Sequence, residues 1–151
     1  MANSNINTVS VIDTATNIVT ATVNVGVNPD RIVVSPDGKK VYVVNSADGT
    51  ISVIDTATNT VTAIVSVGQD VGAVTFSSDG SQIYVLKGNF FSNEGTVSII
   101  DAATNVVKTT VNLGSLPNQI AIGNVPHKAP ADFNYLIIAS MVVLYIRKKL
   151  S

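Results

Sequence analysis

The sequence predicts an all-β fold of propeller type: about three four-stranded antiparallel repeats of ~42 residues standing side by side. Three internal matches in one register predict it. Asn7-Thr-Val-Ser-Val-Ile-Asp-Thr-Ala-Thr-Asn17 returns as Gly49–Asn59 and again as Gly95–Asn105, placing Asp13, Asp55 and Asp101 at spacings of 42 and 46 residues. Between them, Ser35-Pro-Asp-Gly-Lys-Lys-Val-Tyr-Val-Val-Asn45 is matched by Ser77-Ser-Asp-Gly-Ser-Gln-Ile-Tyr-Val-Leu-Lys87, and Pro29-Asp-Arg-Ile-Val-Val by Pro117-Asn-Gln-Ile-Ala-Ile. No segment of helical length carries a 3.6-residue apolar period.

Each repeat resolves into four strands. Ile32-Val-Val is a near-continuous apolar run, suited to an innermost strand buried on both faces. Pro36-Asp37-Gly38 is a tight turn, since Pro presets φ and Gly supplies a positive φ; Asp79-Gly80 repeats it. Val41–Asn45 is the second strand, Asp48-Gly49 a second hairpin turn, and Ile51–Asp55 the third strand. Thr56-Ala-Thr-Asn59 turns the chain again, with Asx and Thr side chains able to bond local backbone. In the fourth strand Val61, Ala63, Val65 and Val67 alternate with Thr60, Thr62 and Ser66, the period-two pattern of a half-exposed outer strand.

At SPDGKKVYVVN and GTISVIDTATNTV the sequence resembles the YVTN-type β-propeller repeats of archaeal and bacterial surface-layer proteins, over roughly residues 7–124. The tetrad itself is degenerate, Tyr42-Val-Val-Asn45 in one blade and Tyr84-Val-Leu-Lys87 in the next. The resemblance implies a place at the cell surface or outside the cell. The N-terminal residues have neither the basic nor the apolar region of a secretory signal, which keeps a cytoplasmic setting open as the alternative.

The repeats divide the chain into a half blade over 7–25, blades over 30–68 and 71–114, and the first strand of a further blade over 119–123. That is about eleven strands, just under three blades, whereas closed propellers have four to eight. The expected partner is therefore a second copy, two chains closing a six-bladed ring. Residues 125–132, with two prolines, read as a linker. The apolar segment 133–151 ends in Arg147-Lys148-Lys149 and has two readings. It forms further strands of the ring, or it is a membrane or sorting tail, although its apolar stretch of 14 residues, Asn134 and Ser140 among them, falls short of the ~20 a spanning helix needs. Any membrane contact would run through 133–149 alone.

Composition narrows the function. The chain is 46 % hydrophobic and 13 % charged with net charge −1, so it lacks the basic footprint of a nucleic-acid binder. It has no cysteine, one histidine (His127, in the linker) and one glutamate, too few groups to suggest a metal or a convergent catalytic set, and no cofactor is indicated. Asp13, Asp55, Asp101, Asp37, Gly38, Asp79 and Gly80 recur at equivalent turns and read as structural. One departure from the repeat stands out: Lys87–Gly95 is four residues longer than Asn45–Gly49 and carries Asn89, Phe90 and Phe91. These three residues, with Arg31 beside an inner strand, are the candidates for ligand or partner contact, the bland alternative being packing between blades. The expected function is thus a non-catalytic propeller module for interaction or surface assembly. The alternatives are a propeller enzyme of lactonase or dehydrogenase type, or a truncated part of a larger surface protein.

Overall fold

The structure is a computed structural model describing residues 1–89, 94–114, 120–123, 135–138 and 142–144, with side chains over 1–88 and 94–114. Among the described residues fourteen strands form four antiparallel sheets. The first holds β1 (Ala2–Asn3), β2 (Thr8–Asp13) and β3 (Ile18–Asn24). Next come β4 (Pro29–Val34), β5 (Lys40–Asn45), β6 (Thr50–Asp55) and β7 (Thr60–Ser66), paired in chain order. The third sheet pairs β8 (Val71–Phe76), β9 (Gln82–Asn89), β10 (Glu94–Asp101) and β11 (Val107–Asn112) in the same way. The last is β12 (Ile120–Gly123), β13 (Tyr135–Ile138) and β14 (Val142–Leu144). The sheets follow one another along an arc, β1 lying against β4, β4 against β8 and β8 against β12. These are blades of a propeller, set in an arc that does not close among the described residues.

Two findings change the strand count read from sequence. The first sheet contains β1, too short for any periodicity to reveal. Its register shows what it is: Asn3 lies opposite Thr8 as Asn45 lies opposite Thr50, so β1 is the end of a second strand. The side chains agree, since Asn3 Nδ2 donates to Thr8 Oγ1 (3.0 Å) and Ser10 Oγ (2.8 Å), and Asn45 Nδ2 to Thr50 Oγ1 (3.1 Å) and Ser52 Oγ (2.9 Å). At the other end, β13 and β14 pair antiparallel with β12, so the apolar tail supplies strands. Among the described residues no helix is long and apolar enough to cross a membrane.

The core lies between blades. Period-two side chains on β5 and β6 point alternately to the two faces of their sheet. Val43 and Ile54 meet Val9 and Val23 of the first blade. Tyr42, Val44, Ile51, Val53 and Val65 meet Phe76, Ile83, Val85 and Ile100 of the third. The middles of the second and third strands are therefore buried on both faces, while the outer strand β7 keeps the predicted alternation, with Val65 buried and Ile64 67 % exposed. The inner strand departs from expectation. In β4 Ile32 and Val33 are half-buried and Val34 is exposed, because that strand borders the axis of an unclosed arc rather than a filled interior.

Turn chemistry repeats down to single hydrogen bonds. Asn17, Asn59 and Asn105 take left-handed φ of 59°, 54° and 58°, and their amides donate to the carbonyls of Asp13, Asp55 and Asp101. The left-handed region suits Asn better than other side-chain-bearing residues, which explains its recurrence. Gly49 (φ 63°) closes the β5–β6 tip, where a Cβ would come within 2.8 Å of the Gly68 carbonyl carbon. Each third-to-fourth strand pair also carries a register shift at the same rung, leaving Thr20, Thr62 and Lys108 as the extra residues.

Truncation measures the inter-blade core directly. Ile51→Ala removes a side chain with no exposure and should cost ~2–5 kcal/mol, whereas Ile64→Ala should stay within ~0.5 kcal/mol, both read from urea unfolding midpoints. Equal effects would refute face-to-face blade packing.

Candidate functional site: the cleft between the second and third blades

Where the second and third blades meet at one rim, their turns enclose a cleft of about 430 Å³ lined by Pro36, Asp37, Tyr42, Phe76, Asp79 and Asp101, with Lys40 at its side. Tyr42 is its organiser. Its ring is 1 % exposed and stands edge-on to Phe76, centroids 5.3 Å apart and planes at 79°. Its hydroxyl lies 3.1 Å from Asn105 Oδ1 and 3.3 Å from the Ala102 carbonyl, and Lys40 Nζ donates to the same carbonyl at 3.0 Å. Strand β5 thereby grips the third blade's outer turn. Burial raises the Tyr42 pKa, and the charges of Asp37 and Asp101 raise it further, which keeps the phenol protonated.

The carboxylates are fixed by local geometry. Ser35 Oγ donates to Asp37 Oδ1 at 2.6 Å and the Lys39 amide at 3.0 Å; both lower the Asp37 pKa. Ser77 Oγ, then the Ser81 amide and hydroxyl, do the same for Asp79 and bring it to about 2. Asp101 is held down by Lys108 Nζ at 2.7 Å and by the Thr104 amide at 2.9 Å. Asp13 and Asp55 have the same backbone pattern, accepting from Thr16 and Ala15 and from Thr58 and Ala57. Such carboxylates stay charged near neutrality, so none is poised as a general acid or base.

The sequence candidates scatter. Arg31 is exposed on β4, 3.9 Å from Asp30, and does not line this cleft. Asn89 is a ladder residue opposite Glu94, since the four-residue insertion adds two paired rungs to the β9–β10 hairpin instead of a longer loop. Phe90, Phe91 and His127 lie outside the described residues. Asp13 and Asp55 stay apart from the cleft, whereas Asp101 joins Asp37 and Asp79 in it, a convergence of two different turn types that a search within one turn type misses. Gly38 and Gly80 sit at the two hairpin turns with φ of 71°. Sequence reading also missed Tyr42, Lys40 and Phe76 as site residues. The signal was available in the tyrosine that recurs at 42 and 84 amid aliphatic residues.

Comparison with known proteins adds what the cleft does not say. The family model of the cytochrome D1 heme domain matches residues 2–119, and the chain belongs to that family. Among solved structures it is similar to hydrazine synthase from Kuenenia stuttgartiensis, with TM-score 0.71 and 21 % identity over 92 % of this chain and 44 % of that one. It is similar also to the dihydro-heme d1 dehydrogenase NirN in complex with DHE (TM-score 0.66, 20 % identity, 89 % of this chain, 28 % of that one). A third is apo AztD from Citrobacter koseri (TM-score 0.60, 18 % identity, 74 % and 30 %). The chain thus spans less than half the length of each of these. No curated protein matches it significantly.

This family corrects the expectation of a protein unconnected with catalysis. Membership in the cytochrome D1 heme domain family, matched over residues 2–119, stands against that expectation. The earlier inference counted titratable side chains, but in cofactor proteins the cofactor carries the hard chemistry and the polypeptide needs few such groups. The described residues nonetheless do not fit a haem. Axial iron ligands are His, Cys, Met or Tyr. Among the residues whose side chains are described there is no His, Met1 is 72 % exposed at the terminus, and the Tyr42 and Tyr84 hydroxyls are hydrogen-bonded and kept protonated; the whole chain lacks Cys. No group of three or more metal-ligating side chains occurs among them either. The cleft's three carboxylates would also repel those a haem carries.

The turn carboxylates set an acid limit on stability. Their pKa values lie below the ordinary 3.8 in the folded chain, so their contribution is complete above about pH 4 and is lost as pH falls through the folded values, about 2 for Asp79. Urea midpoints should be flat above pH 5 and decline below pH 4, and Asp79→Asn should shallow that decline. An unchanged slope in the variant would show that Asp79 gains nothing from Ser77 and Ser81.

Proposed function

We propose that this chain is a blade-forming arc of a haem-associated, enzyme-related propeller, its described sheets acting as the frame and the tetrapyrrole being held by groups outside them. The observation that carries this reading is the family match over residues 2–119. The similarity to a dehydrogenase named for dihydro-heme d1 supports the same class. The frame role follows from the cleft, where every carboxylate is engaged in a turn and no described side chain offers itself to iron. The association with surface layers rests on the SPDGKKVYVVN and GTISVIDTATNTV repeats alone. Protease digestion of the chain on intact cells tests that placement.

The purified chain titrated with haem d1 and, separately, with ferric protohaem tests the haem reading. At least one should give a saturable Soret shift, on the order of micromolar affinity. Asp37→Asn should leave that affinity within about twofold, because the cleft is not the haem site. Spectra that stay those of the free haems throughout the titration would overturn the proposal.

A further inference from the structure

Residues 45 and 87 hold the same place in two blades and satisfy it differently. Asn45 lies opposite Pro29 and Thr50, and Lys87 opposite Val71 and Thr96. The end of the preceding blade reaches both in the same way. Val25 and Val67 each donate their amide at 3.0 Å to an equivalent carbonyl, that of Asn7 or of Gly49. The glycine that follows then abuts the side chain: a Cβ on Gly68 would stand 3.6 Å from Lys87 Nζ, and one on Gly26 2.7 Å from Asn45 Nδ2.

At the boundary of the second and third blades an ammonium fills the place, Lys87 Nζ donating to the Val67 carbonyl at 2.7 Å. At the boundary of the first and second blades the shorter Asn45 gives its amide hydrogens to Thr50 Oγ1 and Ser52 Oγ. Its Oδ1 is left without a partner although the residue is 0 % exposed. An unpaired amide oxygen at that depth is costly unless something donates to it or is coordinated by it.

The surrounding groups select what that is. By the repeat, the Val25 carbonyl stands where the Val67 carbonyl stands beside Lys87. Asp48 Oδ2 comes within 2.5 Å of the same Gly26 Cβ position that the Asn45 amide approaches, held there by the Val27 amide at 2.6 Å. An amide oxygen, a main-chain carbonyl and a carboxylate are the donor set of a hard cation. One carboxylate, already accepting a hydrogen bond, suits a single charge better than two, and potassium is close to ammonium in size.

We propose that the boundary between the first and second blades binds a monovalent cation of potassium size, coordinated by Asn45 Oδ1, the Val25 carbonyl and the Asp48 carboxylate, in the place that the Lys87 ammonium takes at the next boundary. The cation fastens one pair of blades as the lysine fastens the other. Haem plays no part in the argument, and the test uses protein without it.

Thermal unfolding of the purified chain in potassium chloride, with choline chloride holding the ionic strength constant, reads the site. The midpoint should rise by about 3 °C or more between ~1 mM and ~100 mM potassium, because a ligand of the folded state alone stabilises by mass action. Asn45→Lys carries the third blade's own ammonium into the second and should make the midpoint the same in both salts. Should that variant fail to fold, Asp48→Asn, at an exposed position and still able to accept from Val27, should raise the potassium concentration that gives half the shift at least about tenfold. A native chain indifferent to the exchange of choline for potassium would overturn the proposal, the Asn45 amide then being turned over so that Nδ2 donates to the Val25 carbonyl. A potassium response that persists undiminished in Asn45→Lys, or in Asp48→Asn, would overturn it equally.

Discussion

Everything in this molecule follows from sheets that are apolar on both faces. A strand with one apolar face can rest on a single core and leave its other side in water. Here Tyr42 and Val44 on one side of β5, and Val43 on the other, are all at most 1 % exposed, so the second blade needs a neighbour on each side. Lateral stacking of blades satisfies that need, and the strong twist of short strands turns the stack into an arc. The consequence reaches the site. Tyr42 can hold Asn105 and the Ala102 carbonyl only because its strand is pressed against the third blade, and the cleft exists because two turns meet at the rim of that contact.

Much of this was legible in the sequence because the physics is local. Asp-x-Ala-Thr-Asn encodes a turn through two amides bonded to one carboxylate oxygen and one left-handed Asn, and it does so identically at residues 13, 55 and 101. What escaped has no local signature. Strand β1 has two residues and is defined by pairing with Val9 and Thr8 alone. The bulges at Thr20, Thr62 and Lys108 interrupt an alternation that reads as continuous in one dimension. The extra rungs of β9 and β10 look like a loop because Gly88 and Asn89 have low strand propensity, which antiparallel pairing overrides. The cleft escaped for a different reason: its three carboxylates come from residues 37, 79 and 101, which only the stacking of blades brings to one place.

Function was less legible than fold for a related reason. A search for catalysis by side-chain inventory expects a compact set of nucleophiles, acids and ligands, and this chain's single His and Glu and missing Cys defeat such a search. The family relationship is instead spread over residues 2–119, across the blades. That distribution is what a scaffold produces. Positions are held by packing and turn geometry, and the chemistry of a propeller gathers where several blades converge, beyond the reach of any one repeat.

The third blade shows how a repeat can specialise without losing its fold. Asn45 spends its amide within its own sheet, on Thr50 and Ser52, and its Oδ1 is buried without a partner. At the matching position Lys87 instead reaches back 2.7 Å to the Val67 carbonyl. The bulged Thr62, whose hydroxyl donates to the Val53 carbonyl, becomes Lys108, which moves its charge onto Asp101. Each exchange turns a neutral hydrogen bond within the ladder into a charged one, and the hairpin between them is longer by two rungs. Because the backbone register at these rungs is unchanged, the blade can acquire new charge and reach at its margins while its buried faces stay interchangeable with those of its neighbours. The separation follows from the alternation of a β-strand: side chains at the turns and bulges vary under weak packing constraints, and those facing the next blade cannot.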